Sequence, residues 1–133
     1  MNIFQKVKSL NLPPGKYVVV AGSALEGYGI RKNNDIDITV TKDVYENLKG
    51  KGWEESVRPD GNTGLVKDKY EIGVGFSYGE YQVPAEDLIK TAKVINGIPF
   101  VGLAEIVNFK KARNSEKDKE DIKLIEQYLQ FHT

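Results

Sequence analysis

The sequence contains no cysteine among its 133 residues, and its one histidine, His132, stands next to the last position. The first absence removes disulfides, thiolate nucleophiles, iron–sulfur clusters and cysteine zinc sites. The second sets aside a Ser-His-Asp triad and any multi-histidine metal site. Net charge is also lacking, because 19 Lys+Arg balance 19 Asp+Glu. Non-specific affinity for a polyanion scales with the phosphates that a basic surface neutralises, so bulk DNA binding is not expected. No apolar run approaches the length of a membrane span, and the opening MNIFQKVKSLNLPPG has no signal-peptide core. The expectation is a cytoplasmic protein with no membrane partner. For chemistry there remain carboxylates, lysines, arginines, hydroxyls and glycine-shaped backbone.

With 40% hydrophobic and 29% charged residues, the chain can form a modest core, and its length predicts a single domain over 1–133. Apolar Ile3, Phe4, Val7 and Leu10 have helical spacing that Pro13-Pro14-Gly15 ends. Tyr17 to Ala21 is an unbroken β-branched run, as in a strand buried on both faces. Gly22-Ser23 breaks it, and residues 24–30 read as a short, weak helix. Residues 36–40 alternate, with Ile36, Ile38 and Val40 on one face and Asp37 and Thr39 on the other. Thr41 or Asp43 can cap a helix that runs through Leu48. Segments 53–57 and 64–67 flank the turn-rich RPDGNTG and predict a hairpin. Alternation over 70–76 predicts one strand, and Pro84 opens a short helix. Asn96-Gly97 is a tight-turn signal between two short strands. Helices over about 102–113 and 117–130 finish the chain, with Ser115 and Asp118 spaced as a capping box. The fold class is α+β, or mixed α/β: one central mixed sheet flanked by helices, two of them C-terminal.

The informative chemistry lies in Asp35-Ile36-Asp37-Ile38. Alternate strand residues share a face, so Asp35 and Asp37 point the same way and can share a cation. All-oxygen ligation favours Mg²⁺ or Mn²⁺. A plain polar strand face is the alternative, although aspartate is a poor strand former. Glu71 is the candidate third ligand, since Gly73 and Gly75 on its face leave open space; Asp68 is a weaker one. Gly22-Ser23, between a buried strand and a helix, suits close approach of phosphate oxygens. Lys110 sits near the centre of the apolar stripe formed by Leu103, Ile106 and Val107, aimed either at an anion or toward solvent. Lys111 and Arg113 flank it, and Arg31 precedes the carboxylates. Asp118, sharing a face with Ile122, Ile125 and Leu129, offers a purely structural partner for Lys110 or Arg113.

These residues resemble the DNA polymerase beta-like nucleotidyltransferase superfamily: VVVAGS, a gap of about a dozen residues, then NDIDITV. The ending FKKARNSEKDKEDIKLIEQYL is similar to the Lys/Arg-rich helix and Lys-Asp-x-x-Asp-Ile stretch of its small members. The resemblance implies a nucleotidyltransferase-like fold. It implies that Gly22 and Ser23 bind an NTP and that Asp35 and Asp37 hold two Mg²⁺, with Glu71 where the family usually has an aspartate. Lys110 becomes a phosphate contact, with Arg31, Lys111 and Arg113 as further nucleotide-binding candidates. The implied reaction moves an NMP from the NTP to an acceptor hydroxyl on a protein, an RNA or a small molecule. Asp37 or Glu71 could take the acceptor's proton. The rival reading is a non-catalytic nucleotidyltransferase-like module that binds a nucleotide or a partner protein.

Overall fold

The computed structural model describes residues 2–58, 61–78 and 80–132; Pro59 and Asp60 of the RPDGNTG segment lie outside the described residues. The chain opens with helix α1 (Ile3–Lys8), held by a reciprocal cap between Asn2 and Gln5. Strand β1 (Tyr17–Val20) leads directly into α2 (Ala21–Gly27), and β2 (Ile36–Val40) into α3 (Lys42–Leu48). Strands β3 (Glu54–Val57), β4 (Thr63–Lys67) and β5 (Tyr70–Gly73) form a meander. Then come β6 (Gly75–Tyr78), β7 (Tyr81–Pro84), α4 (Ala85–Lys90), β8 (Lys93–Ile95) and β9 (Ile98–Phe100). Helices α5 (Leu103–Arg113) and α6 (Glu116–His132) end the chain. Among the described residues, no helix is long and apolar enough to cross a membrane.

Seven strands make one mixed sheet in the order β3-β4-β5-β2-β1-β9-β8. β1 runs antiparallel to β2 and parallel to β9, while β2 runs parallel to β5. The apolar run of β1 has its physical reason here: strands flank it on both sides, and all four residues are buried. Asn96 and Gly97 both take positive φ (50° and 81°), as a two-residue hairpin turn matched to strand twist requires. The capping box is also present, since Ser115 Oγ accepts from the Asp118 N–H and the Asp118 carboxylate accepts from the Ser115 N–H.

Two boundaries and one helix face differ from expectation. The alternation over 70–76 predicts one strand, yet the chain leaves the large sheet at Val74, and β6 pairs with β7 in a separate two-stranded sheet. A two-residue period reports which way side chains point and says nothing about which strand lies alongside. Helix α2 starts three residues earlier than the apolar pattern suggests, which puts Gly22 and Ser23 inside its first turn. Ala21 makes the sharp turn there with φ 58°, a left-handed conformation uncommon for alanine. On α6 the buried face runs through Asp118, Asp121 and Ile125, whereas Leu129 is exposed. The helix therefore presents a second aspartate to the body of the protein.

Helices α1 and α2 close around Phe100, whose ring meets Phe4 edge-on at 5.8 Å and Tyr28 at 6.4 Å. Gly27 makes this packing achievable, because a Cβ there would lie 2.2 Å from the fully buried Phe100 ring. Neither the helix nor the ring has room to yield. Gly27→Ala is accordingly expected to destabilise the protein by about 2–3 kcal/mol, against the small gain in helix propensity alanine would otherwise bring. Urea unfolding of the two proteins checks this.

Candidate active site

Strand pairing assembles the site. The β1–β2 register sets Val20 opposite Asp37, and the β2–β5 register sets Asp37 opposite Glu71. The turn at the end of β1 and both acidic residues thus meet at one place on the sheet. Ser23 locks the junction, with its Oγ donating to the Val20 carbonyl at 3.1 Å and accepting from the Asp37 N–H at 2.8 Å. Fully buried and engaged on both sides, this hydroxyl positions Asp37. Asp35 lies just ahead of β2 and not on it, so a bend in the chain, rather than strand alternation, brings it near Asp37.

Asp35, Asp37 and Gly22 line a cavity of about 170 Å³. Arg31, Lys110 and Arg113 line it too, together with Lys117 at the start of α6. Gly22 is as tightly placed as the wall allows, since a Cβ there would lie 2.5 Å from Asn33 Oδ1. Asn33 in turn holds the loop, donating from its side chain to the Asp35 carbonyl at 2.6 Å. Lys111 does not join the wall and is exposed. Asp68 occupies a left-handed position (φ 53°) in the β4–β5 turn, a conformation aspartate tolerates, which accounts for it without a ligand.

The acidic side is under electrostatic tension. Burial pushes the Asp37 carboxyl up to about 7, and a hydrogen bond and repulsion from Glu71 push in the same direction. Arg58 partly offsets the effect. Sequence patterning gave no sign of this arginine. It fills the space over Gly73 that was expected to be open. Among the described residues, no three acidic or histidine side chains converge as a ready-made metal cage. The close pair is Asp37 with Glu71, and Asp35 lines the cavity beside Asp37. Two carboxylates forced together with oxygen donors only do suit a hard divalent cation.

The basic side is a buried ion-pair network. Lys110, only 4% exposed, lies 2.9 Å from Asp121 Oδ2 and 3.4 Å from Asp118 Oδ1. Arg31 grips both oxygens of Asp121 at 2.8 and 3.0 Å, and Arg113 grips both of Asp118 at 2.8 and 2.6 Å. Burial by itself would raise both aspartates. Hydrogen bonds from Arg113 and Ser115 hold Asp118 well below the usual carboxylate range, and those from Arg31 and Lys110 lower Asp121. The structural pairing of Asp118 with Lys110 and Arg113 is therefore present. Asp121 is the second aspartate of the Lys-Asp-x-x-Asp-Ile stretch, to which the sequence reading assigns no role. Its spacing of three from Asp118 and four from Ile125 places it on the same buried face.

A seven-stranded mixed sheet flanked by helices, with the acidic strand β2 between β1 and β5, is a nucleotidyltransferase-like fold. The chain is similar to the crystal structure of a putative nucleotidyltransferase from Thermotoga maritima, at a TM-score of 0.54 and 18% sequence identity. The match covers 98% of this chain and 96% of that one. No protein-family model matches the sequence, and no curated protein does.

Proposed function

We propose that this protein is a Mg²⁺-dependent nucleotidyltransferase of the DNA polymerase beta-like superfamily, moving an NMP from an NTP to an acceptor hydroxyl. One observation carries the proposal: Asp37 and Glu71 are held side by side on adjacent strands, against their own repulsion, and Asp37 lines with Gly22 a cavity that Arg31, Lys110 and Arg113 also line. A protein that used this face only for folding would gain stability by losing one of the two charges. The fold of the Thermotoga maritima protein supports the same reading.

Asp35, Asp37 and Glu71 would hold two Mg²⁺, or Mn²⁺ in its place. When bound, such ions neutralise charge on the phosphates and on the attacking and leaving oxygens. The chain's own residues do the rest. At about 170 Å³ the cavity is smaller than the ~300 Å³ of a typical small-molecule site, so it would take the phosphate tail with the nucleoside at its mouth. Gly22 lets the backbone approach the phosphates, and Lys110, Arg31 and Arg113 present positive charge to them while staying fixed by Asp118 and Asp121. The acceptor oxygen bonds to the α-phosphorus, the bond from that phosphorus to the bridging oxygen breaks, and pyrophosphate departs. The acceptor's proton goes to Asp37 or to the half-exposed Glu71.

The test is label transfer. Purified protein is incubated with each α-labelled NTP, Mg²⁺ or Mn²⁺, and a lysate of the source cell. Label should reach an acceptor, be lost in Asp37→Ala, and fail to appear from γ-labelled NTP. Nucleotide binding with no α-label moved from any of the four would instead favour the non-catalytic module.

A further inference from the structure

Beside the acidic pair stands a cation that the proposed reaction does not use. Arg58 follows β3, in a turn closed by its own N–H donating to the Asn62 carbonyl at 2.7 Å and its carbonyl accepting from Gly61 at 2.9 Å. Its side chain lies back over the sheet, above Gly64 of β4 and Gly73 of β5. A Cβ on Gly73 would lie 2.5 Å from Arg58 Nη1, and one on Gly64 would lie 3.0 Å from Nε. The β4–β5 register continues one step past Leu65–Ile72 to set these two glycines opposite each other. Two side chains are missing on neighbouring strands where one guanidinium lies.

The direction of that bed matters. Glu71 and Gly73 share a face of β5, and Glu71 pairs with Asp37 on β2, so Arg58 rests on the face that carries the acidic pair. Its Nη2 ends 4.0 Å from Glu71 Oε2, a stand-off longer than a direct hydrogen bond. An exposed pair at that distance contributes little to stability. A fixed positive charge beside two crowded carboxylates, however, occupies the electrostatic position of a metal ion.

We propose that Arg58 is a positioning residue for the acidic pair: a resident counter-cation that steadies Asp37 and Glu71 without metal and competes with a divalent cation for them. This rests on the metal reading of those carboxylates. Like charges a few ångströms apart repel strongly near a low-dielectric surface, so binding of the divalent ion drives the guanidinium off its glycine bed.

The experiment measures Mn²⁺ affinity from the free-ion paramagnetic resonance signal, with the metal-dependent shift in melting temperature as a second readout. Four proteins are compared with the wild type: Arg58→Ala, Arg58→Gln, Gly73→Ala and Lys93→Ala. Gly73→Ala keeps the charge but displaces it, whereas Lys93→Ala removes a unit of charge at the far edge of the sheet. Arg58→Ala, Arg58→Gln and Gly73→Ala should each bind Mn²⁺ about tenfold more tightly, within the usual range of coupling between two sites, and Lys93→Ala should match the wild type. An arginine with a merely structural role would leave metal affinity unchanged or lower it. Mn²⁺ binding by folded Arg58→Ala and Arg58→Gln that is equal to or weaker than wild type overturns the inference and leaves the metal site standing. Binding by the wild type absent but restored in the Arg58 variants supports it. Absence of binding in all five proteins overturns the inference and the metal reading together.

Discussion

Asp37→Asn is expected to raise the melting temperature of the metal-free protein at pH 8 and to leave it nearly unchanged at pH 4. Burial first, and then Glu71, raise the folded-state carboxyl of Asp37 to about 7, whereas the unfolded chain titrates near its ordinary value of about 4. A group whose folded pKa is raised binds its proton more tightly in the folded state. Below about pH 4 both states hold the proton and no penalty exists. Between about pH 4 and 7 the folded state must give up a proton it favours, and above that range the penalty is complete. A shift of this size corresponds to at most about 4 kcal/mol, of which asparagine recovers part because Glu71 stays in place. Asparagine keeps the shape and the hydrogen bond to Glu71 without the charge. The gain at pH 8 should be roughly 5–10 °C for a domain of this size.

The same substitution should remove any stabilisation by Mg²⁺ or Mn²⁺, which in the wild type follows mass action and grows with pH as Asp37 loses its proton. NMP transfer should fall by at least about a thousandfold, on the scale of lost electrostatic stabilisation at a reacting phosphate. Melting curves over pH 4–8, with and without 10-fold steps in metal, check the physical part independently of any acceptor. Parallel pH profiles for wild type and variant, or equal metal shifts, would remove Asp37 from the site.

The second large effect concerns the ion-pair network of Lys110, Arg31 and Arg113 with Asp118 and Asp121. Asp121→Ala is expected to destabilise the protein by about 3–5 kcal/mol, the scale for leaving a buried charge without its partner. Lys110 would then face only Asp118 at 3.4 Å, which Arg113 already holds in two hydrogen bonds. Arg31 would lose both of its contacts to α6. Asp121→Asn, which keeps an oxygen acceptor, should lose less than half as much. Lys111→Ala, on an exposed position of the same helix as Lys110, should stay within about 0.5 kcal/mol of wild type. The pH dependence runs opposite to that of Asp37. Asp118 and Asp121 have lowered carboxyl pKa values, so their stabilisation is present above about pH 4 and is lost as pH falls through the folded values. Acid unfolding of the wild type should therefore be steeper below about pH 4 than that of Asp121→Asn. Equal acid profiles would mean that the network contributes nothing.

How far the sequence reached can be seen at particular residues. The β-branched run of β1, the alternation in β2, the Asn96-Gly97 turn and the Ser115–Asp118 cap were all legible, because each depends on neighbours within a few positions. So was the place of Lys110 in the apolar stripe of α5, although helical spacing left open whether its ammonium is buried or reaches solvent. Asp37 and Gly22 were legible as candidates, and they do line one cavity. The pairing of Asp37 with Glu71 was a different kind of fact. It depends on a parallel register between segments 34 residues apart, which leaves no local trace in either one. The same holds for Arg58 over Gly64 and Gly73, for the change of sheet at Val74, and for Ser23, whose hydroxyl turned inward to hold β2. Asp121 was decided by the packing phase of α6 against α5, which a mixed stripe of charges and leucines left open. Short-range chemistry thus determined the elements and the residue types available for a reaction. Only tertiary structure decided which charges stand face to face, because electrostatic partners across a sheet are chosen by strand order and register, and those minimise the free energy of the whole chain.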